Sequence, residues 1–222
     1  KEMISLQENV EIKHTIISGL SKVKSQKEVH RISLKEKDAD VIIKMDADMV
    51  PVNKESVYLL SKALYQTGKN RLSVPVLDFF TNDQLMGIHA IRPFATPKES
   101  NIHESNTDGW ITCIDGLSIG RVRQPLFNHG FNPSKPQAVR FGMHRALKAK
   151  NFVGFHPHWV VINKVFKNFI NSRDRSLEYS LKSIIMILNN EKYNWDILDT
   201  NQASNKKFME DLEAFNLEDF LI

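Results

Sequence analysis

Two carboxylates one residue apart, Asp46 and Asp48, follow the apolar run Val41-Ile42-Ile43 through Lys44 and Met45. A continuous apolar run of this kind suits a strand buried on both faces, as in a parallel sheet. The acidic pair then falls at the carboxyl end of that strand, where open α/β sheets bind ligands. In an extended chain, residues i and i+2 point the same way. Asp46 and Asp48 can therefore offer oxygens together to one hard divalent cation, with nucleotide phosphates filling other positions. The competing reading is an acidic turn after a strand, helped by Pro51. A second acidic pair, Asp38-Ala39-Asp40, precedes the apolar run and would lie at the wrong edge of the sheet.

Other residues able to do chemistry stand far down the chain. Asp108-Gly109-Trp110 closes a loop-like stretch from 93 to 108. A Trp beside a carboxylate can form a sugar platform, the ring face taking the apolar side of the sugar and the carboxylate its hydroxyls; a core Trp beside a turn reads equally well. Ser134-x-x-Gln137 is a capping box that opens a helix over 135–149, with Pro136 acceptable in the first turn. Gln137, Arg140, His144 and Lys148 share one face of that helix. Such a stripe is either a solvated face or a diphosphate contact, the latter through a bidentate Arg140. His129 stands just before the helix. His89 and Arg92 read either as ligand neighbours or as the solvated face of a hairpin.

The segment K-M-D-A-D-M resembles the D-x-D segment of GT-A glycosyltransferases, in particular the family-2-like group that uses nucleotide sugars. The stretch H-G-F-N-P-S-x-x-Q-A-x-R-F-G-x-H-R-A-x-K, from His129 to Lys148, resembles the late His and following helix of bacterial members of that group. The resemblance implies a GT-A-like, Rossmann-like α/β fold, a mostly parallel sheet flanked by helices. It implies Mn²⁺ or Mg²⁺ held by Asp46 and Asp48, with His129 as a further ligand and His144 as second choice. Lys44, Asp46, Arg140, His144 and Lys148 become the nucleotide contacts. An inverting member needs a carboxylate base between the D-x-D hairpin and the late His; Asp108 is the first choice and Asp115 the second. The implied reaction moves a sugar from a nucleotide diphosphate sugar to a hydroxyl of a glycan or lipid-linked acceptor, in bacterial surface polysaccharide synthesis. One departure stands out. Ser5-Leu6-Gln7 matches only a compressed form of the family's early helix, so the first strand and the base-binding loop are expected to be missing.

These residues need elements to position them. Val10 to Ile17 predicts a strand and Leu20 to His30 a short polar helix. Asn53 predicts a helix cap, with Val57, Leu60 and Leu64 as the apolar stripe and Gly68 as the stop. Leu72 to Val76 alternates as a strand, and Pro75 within it predicts an edge or a bulge. Thr81-Asn82-Asp83 predicts a turn into a second strand, Leu85 to Arg92. Ile111 to Ile114 predicts another, turned by Asp115-Gly116. Leu177, Leu181, Ile184, Ile185 and Leu188 form an amphipathic stripe, and Phe208, Leu212, Phe215 and Leu217 a weaker one. The expected organisation is a catalytic domain over 1–155 and a helical C-terminal appendage over 156–222.

Composition bounds the rest. At 222 residues the chain can bury one good core, and 25% charged with 41% hydrophobic residues is ordinary for a globular protein. A net charge of +4 suits a phosphate-bearing ligand, and no Lys/Arg block is dense enough for a nucleic-acid tail. Cys113 is the single cysteine, which predicts no internal disulfide and a reducing, cytoplasmic setting. No apolar run approaches the ~20 residues of a bilayer span. Peripheral contact with the inner membrane face, or a homo-oligomer through the C-terminal helices, is compatible with the stripes. Two other readings differ in class. Asp46-Ala47-Asp48-Met49-Val50 also fits the haloacid-dehalogenase-like phosphatase signature, but no later acidic pair of the kind that enzyme needs follows Asp48. A degenerate transferase module acting as a scaffold is the other.

Overall fold

The structure, a computed structural model, describes residues 2–20, 22–95, 117–119, 125–151, 157–198 and 203–220. The chain is mixed α/β and divides into two compact units: residues 1–78 with 84–131, and residues 79–83 with 132–222.

The first unit carries the sheet. It opens with a short helix α1 (Glu2–Ser5) and the helix α2 (Lys22–Ser33). Then come β1 (Ile42–Lys44), β2 (Met49–Pro51), α3 (Ser56–Gln66), β3 (Arg71–Asp78), β4 (Asp83–Ile91), β5 (Leu117–Ile119) and β6 (Phe127–His129). The strand order is β1-β4-β3-β6-β2, with β5 also on β3. The sheet is mixed rather than mostly parallel. β3 runs parallel to β5 and β6, while β1 is antiparallel to β4 and β2 to β6.

β1 corrects the expectation of a strand buried on both faces. It is a half-buried edge strand, paired to β4 from Ile42↔Ile91 to Lys44↔His89. Periodicity cannot separate a short apolar edge strand from a central one, because three residues are too few to show alternation. The order has a geometric consequence. β1 and β2 lie at opposite ends of it, joined only by Met45 to Asp48. Outer strands of a flat row of five would stand about 19 Å apart at the usual spacing. The five peptide steps from Lys44 to Met49 reach at most about 18 Å fully extended. The sheet is therefore curled, and the acidic link spans one end of it.

The core of this unit is formed by Met49, Leu60, Leu64, Leu72, Val74, Val76, Ile88, Ala90 and Phe127. Leu60 and Leu64 are the predicted stripe of α3, and Gly68 ends that helix at φ +63°, a left-handed conformation suited to glycine. Asn53 acts just ahead of the helix: its Oδ1 accepts from the Glu55 N–H at 2.9 Å. Pro75 was expected at an edge or bulge, yet β3 is central. Its β5 ladder covers Arg71 to Ser73 and its β6 ladder covers Leu77 and Asp78, so Pro75 falls in the gap between them. On that side its missing N–H costs no ladder bond. Residues 10–17 form no strand; they run as irregular, mostly exposed chain. β-branched residues make a strand only when a neighbour supplies the ladder.

The second unit is helical: α4 (Lys135–Lys150), α5 (Pro157–Ser172), α6 (Arg175–Leu188) and α7 (Ala203–Ala214). Its core joins Ala138, Val139, Met143 and Leu147 of α4 to Leu177, Leu181, Ile184 and Ile187 of α6, with Phe208, Leu212 and Leu217. Both C-terminal stripes thus face this core. The capping box at Ser134 is formed, Gln137 Oε1 accepting from the Ser134 N–H at 2.8 Å. Helix α4, which a 1–155 boundary places with the sheet, groups with α5–α7. α4 and α6 approach closely at Gly142, where a Cβ would run into the Ser180 carbonyl oxygen and Ser183 Oγ. Among the described residues no helix is long and apolar enough to cross a membrane.

Candidate functional site

The acidic pair lies on a turn. The Met49 N–H donates to the Asp46 carbonyl at 3.1 Å, so Asp46 to Met49 is a tight reversal instead of an extended segment. The two carboxylates part company as a result. Asp46 turns back to Lys44, with Nζ 3.4 Å from Oδ1, and its side chain is 58% exposed. Asp48 turns the other way, to His129, with Oδ2 3.3 Å from Nε2.

The β2–β6 ladder brings Asp48 and His129 together. Met49 pairs with His129, and the Gly130 N–H donates to the Asp48 carbonyl at 2.9 Å. Gly130 has φ +65°, which turns the chain as it leaves β6. The parallel β3–β6 ladder adds a third group by pairing Asp78 with His129. Asp78 Oδ1 lies 2.6 Å from His129 Nδ1, and the Asp78 side chain is fully buried. A carboxylate has no proton to give, so the imidazole Nδ1–H donates to it. The result is a chain of three groups, Asp78–His129–Asp48, set by β3, β6 and the turn that leads into β2.

The electrostatics follow. Burial works against charge on His129, but hydrogen bonds to Asp48 and Asp78 and their negative charge outweigh it, raising its pKa to about 9. Burial likewise pushes the Asp48 carboxyl up, while the His129 hydrogen bond and charge pull it further down, to a net value below the ordinary one. Without a cation the ring is an imidazolium clasped by two carboxylates.

The expected metal set of Asp46, Asp48 and His129 is thus only partly assembled. Asp48 and His129 converge, while Asp46 is directed at Lys44. Among the described residues, no three His, Cys, Asp or Glu side chains group as a cation site. The physical reason is the turn, which removes the i, i+2 alignment that an extended chain would have given. Lys44 lies beside Asp46 as expected of a neighbour, its side chain 13% exposed. Arg140, His144 and Lys148 belong to the second unit, Arg140 exposed and the other two half-buried on α4. His89 Nδ1 lies 2.6 Å from Ser73 Oγ and 3.0 Å from Arg71 Nη2, inside the sheet's own polar contacts. Arg92 stacks over Tyr65 and donates to the Lys69 carbonyl at 3.2 Å, a structural role. Asp108, Asp115 and Trp110 lie outside the described residues.

Asp78 is the site residue that sequence reasoning missed. Its signal is a single carboxylate inside the apolar run from Val74 to Phe80. A buried carboxylate needs a partner. Its partner lies 51 residues away.

No family model, curated protein or solved structure matches this chain.

Proposed function

We propose that this chain is a metal-dependent glycosyltransferase of the GT-A type, transferring a sugar from a nucleotide diphosphate sugar to a hydroxyl of a glycan or lipid-linked acceptor. The observation that carries the reading is the convergence of Asp48 Oδ2 and His129 Nε2, at 3.3 Å, where the D-x-D turn leaves the sheet. A mixed carboxylate and imidazole pair fits a divalent cation, and the imidazole favours Mn²⁺ over Mg²⁺, which prefers oxygen. Two protein donors would leave room for phosphate oxygens and water.

Asp48 and His129 would hold the cation, which supplies charge neutralisation at a departing nucleoside diphosphate. The chain's own residues do the rest. Asp48, immediately before β2, and His129, in β6, would fix its position. Lys44, 3.4 Å from Asp46, adds positive charge next to the same turn. In an inverting enzyme the acceptor hydroxyl gives its proton to a separate carboxylate, and Asp108 followed by Asp115 are the candidates. The phosphatase reading draws no support from β1, which is an antiparallel edge strand and not the central parallel strand that a nucleophilic Asp46 would call for.

Titration calorimetry with Mn²⁺ and nucleoside diphosphates tests the reading. Wild-type protein should bind at least one nucleoside diphosphate in a metal-dependent way, and Asp48→Asn should abolish that dependence while circular dichroism stays unchanged. A wild-type protein indifferent to Mn²⁺ with every nucleotide would end it.

A further inference from the structure

We propose that Asp78 is a positioning residue for the cation site: it accepts the hydrogen bond from the Nδ1–H of His129 and holds the imidazole so that Nε2 is the nitrogen presented beside Asp48. The inference rests on the reading of Asp48 and His129 as the residues that hold the cation. It concerns a residue that touches neither cation nor substrate.

The argument starts from the ring. A neutral imidazole carries one proton, on either nitrogen, and only the other nitrogen can ligate. In isolation the choice is open, and the ring can also flip. Asp78 removes both freedoms. Its oxygen lies 2.6 Å from Nδ1, so that nitrogen keeps its proton, and Nε2 is the one that would give up a proton to ligate. The β3–β6 register sets Asp78 directly opposite His129, so the contact is built into the ladder. Asp78 is fully buried, whereas the His129 side chain is 17% exposed and that of Asp48 35% exposed. Burial thus increases from the site inwards, from Asp48 through His129 to Asp78. Water does not compete for the inner hydrogen bond, and the open side is the one where a cation would enter. Carboxylates that back a ligating His in this way typically contribute 10–100-fold to metal affinity.

Manganese EPR measures this directly, by following free Mn²⁺ in titrations with the nucleoside diphosphate found in the calorimetry. Asp78→Asn, nearly isosteric, should weaken Mn²⁺ affinity by about tenfold or more at a temperature where it is fully folded. His129→Ala should weaken it at least as much. A structural role alone would lower the melting temperature of Asp78→Asn and leave Mn²⁺ affinity per folded molecule untouched, which overturns the proposal. A second measurement does not depend on any variant's stability. Pulsed EPR on wild-type protein with ¹⁵N-labelled histidine should show coordination by Nε2 with a protonated Nδ1. Coordination through Nδ1 overturns the proposal even if Asp78→Asn cannot be purified. The two readings separate cleanly. Wild-type protein that binds no Mn²⁺ refutes the proposed function, whereas wild-type binding with unchanged affinity in Asp78→Asn refutes only the role of Asp78.

Discussion

Asp48 and His129, far apart in the chain, stand side by side because β2 and β6 pair antiparallel, with the Gly130 N–H donating to the Asp48 carbonyl at 2.9 Å. The contact between their side chains is therefore backed by a ladder, and its consequences can be measured separately in stability, cation binding and rate.

Stability of the metal-free protein should fall in alkali. The His129 pKa is about 9 in the folded chain, against 6.5 for the ordinary group. The stabilisation is fully present below pH 6.5 and disappears as pH rises through 9. A displacement of that size corresponds to about 3 kcal/mol, counted once for the whole three-group contact. Urea unfolding in EDTA at pH 6 and pH 10 should show the loss in wild type and a much smaller one in His129→Gln. Equal losses in both would assign the alkaline effect to other groups.

The two carboxylates of the pair should prove unequal. Asp46 is exposed and engaged with Lys44, and a surface contact of that kind contributes at most about 1 kcal/mol to folding. Asp46→Ala should leave stability within about 0.5 kcal/mol of wild type. Its Mn²⁺–nucleotide affinity should drop less than that of Asp48→Ala. Reversal of that order in the same titrations would mean that the turn reorganises on binding to present Asp46.

The second unit has its own sensitive position. Gly142→Ala places a methyl against the Ser180 backbone carbonyl and Ser183 Oγ. Backbone cannot rotate away as a side-chain tip can, so α4 and α6 must separate. The expected cost is about 1–3 kcal/mol, the usual range for overpacking. A urea midpoint equal to wild type would show that the two helices slide apart freely.

The catalytic base is testable even though Asp108 and Asp115 lie outside the described residues. For an inverting enzyme, Asp108→Asn should lower kcat by about 10²–10⁴ with donor affinity retained. Normal turnover in that variant, with Asp115→Asn inactive, reassigns the base to Asp115. Activity in both variants removes the base, and with it the case for inversion.

Much of the fold could be read from the sequence because long periodic segments carry their own signal. Leu60 and Leu64 of α3, the Ser134–Gln137 box and the Leu177 to Leu188 stripe all emerged where expected. The site was legible only in its parts. Asp48 and His129 could be named from their neighbours, but β2 and β6, at three residues each, are too short to show any period. Without them the reversal at Asp46 to Met49 could not be foreseen, nor the separation of Asp46 from Asp48. The direction of β1 was hidden for a similar reason. An apolar triplet says that a strand is half-buried or better, and says nothing about which neighbour pairs with it. Asp78 was readable as a buried carboxylate in need of a partner, yet the partner is set by sheet register, which is a property of the assembled ladders.

That assembly has an implication for the order of folding. Asp78 sits at the end of β3, Asp48 immediately before β2 and His129 at the end of β6, and the inner contact closes a segment of 51 residues. Loop closure over such a span must be met before the contact repays it, and non-local pairings are the slow ones. A nascent chain that has emerged only through β4 already carries Asp48 and Asp78 but no imidazole between them. Under the proposed function, cation capture at this place would be a late acquisition, arriving with the strand that reaches back from residue 127. Refolding followed by manganese uptake would report the closing step of the sheet, while circular dichroism, dominated by the helices, would have finished changing earlier.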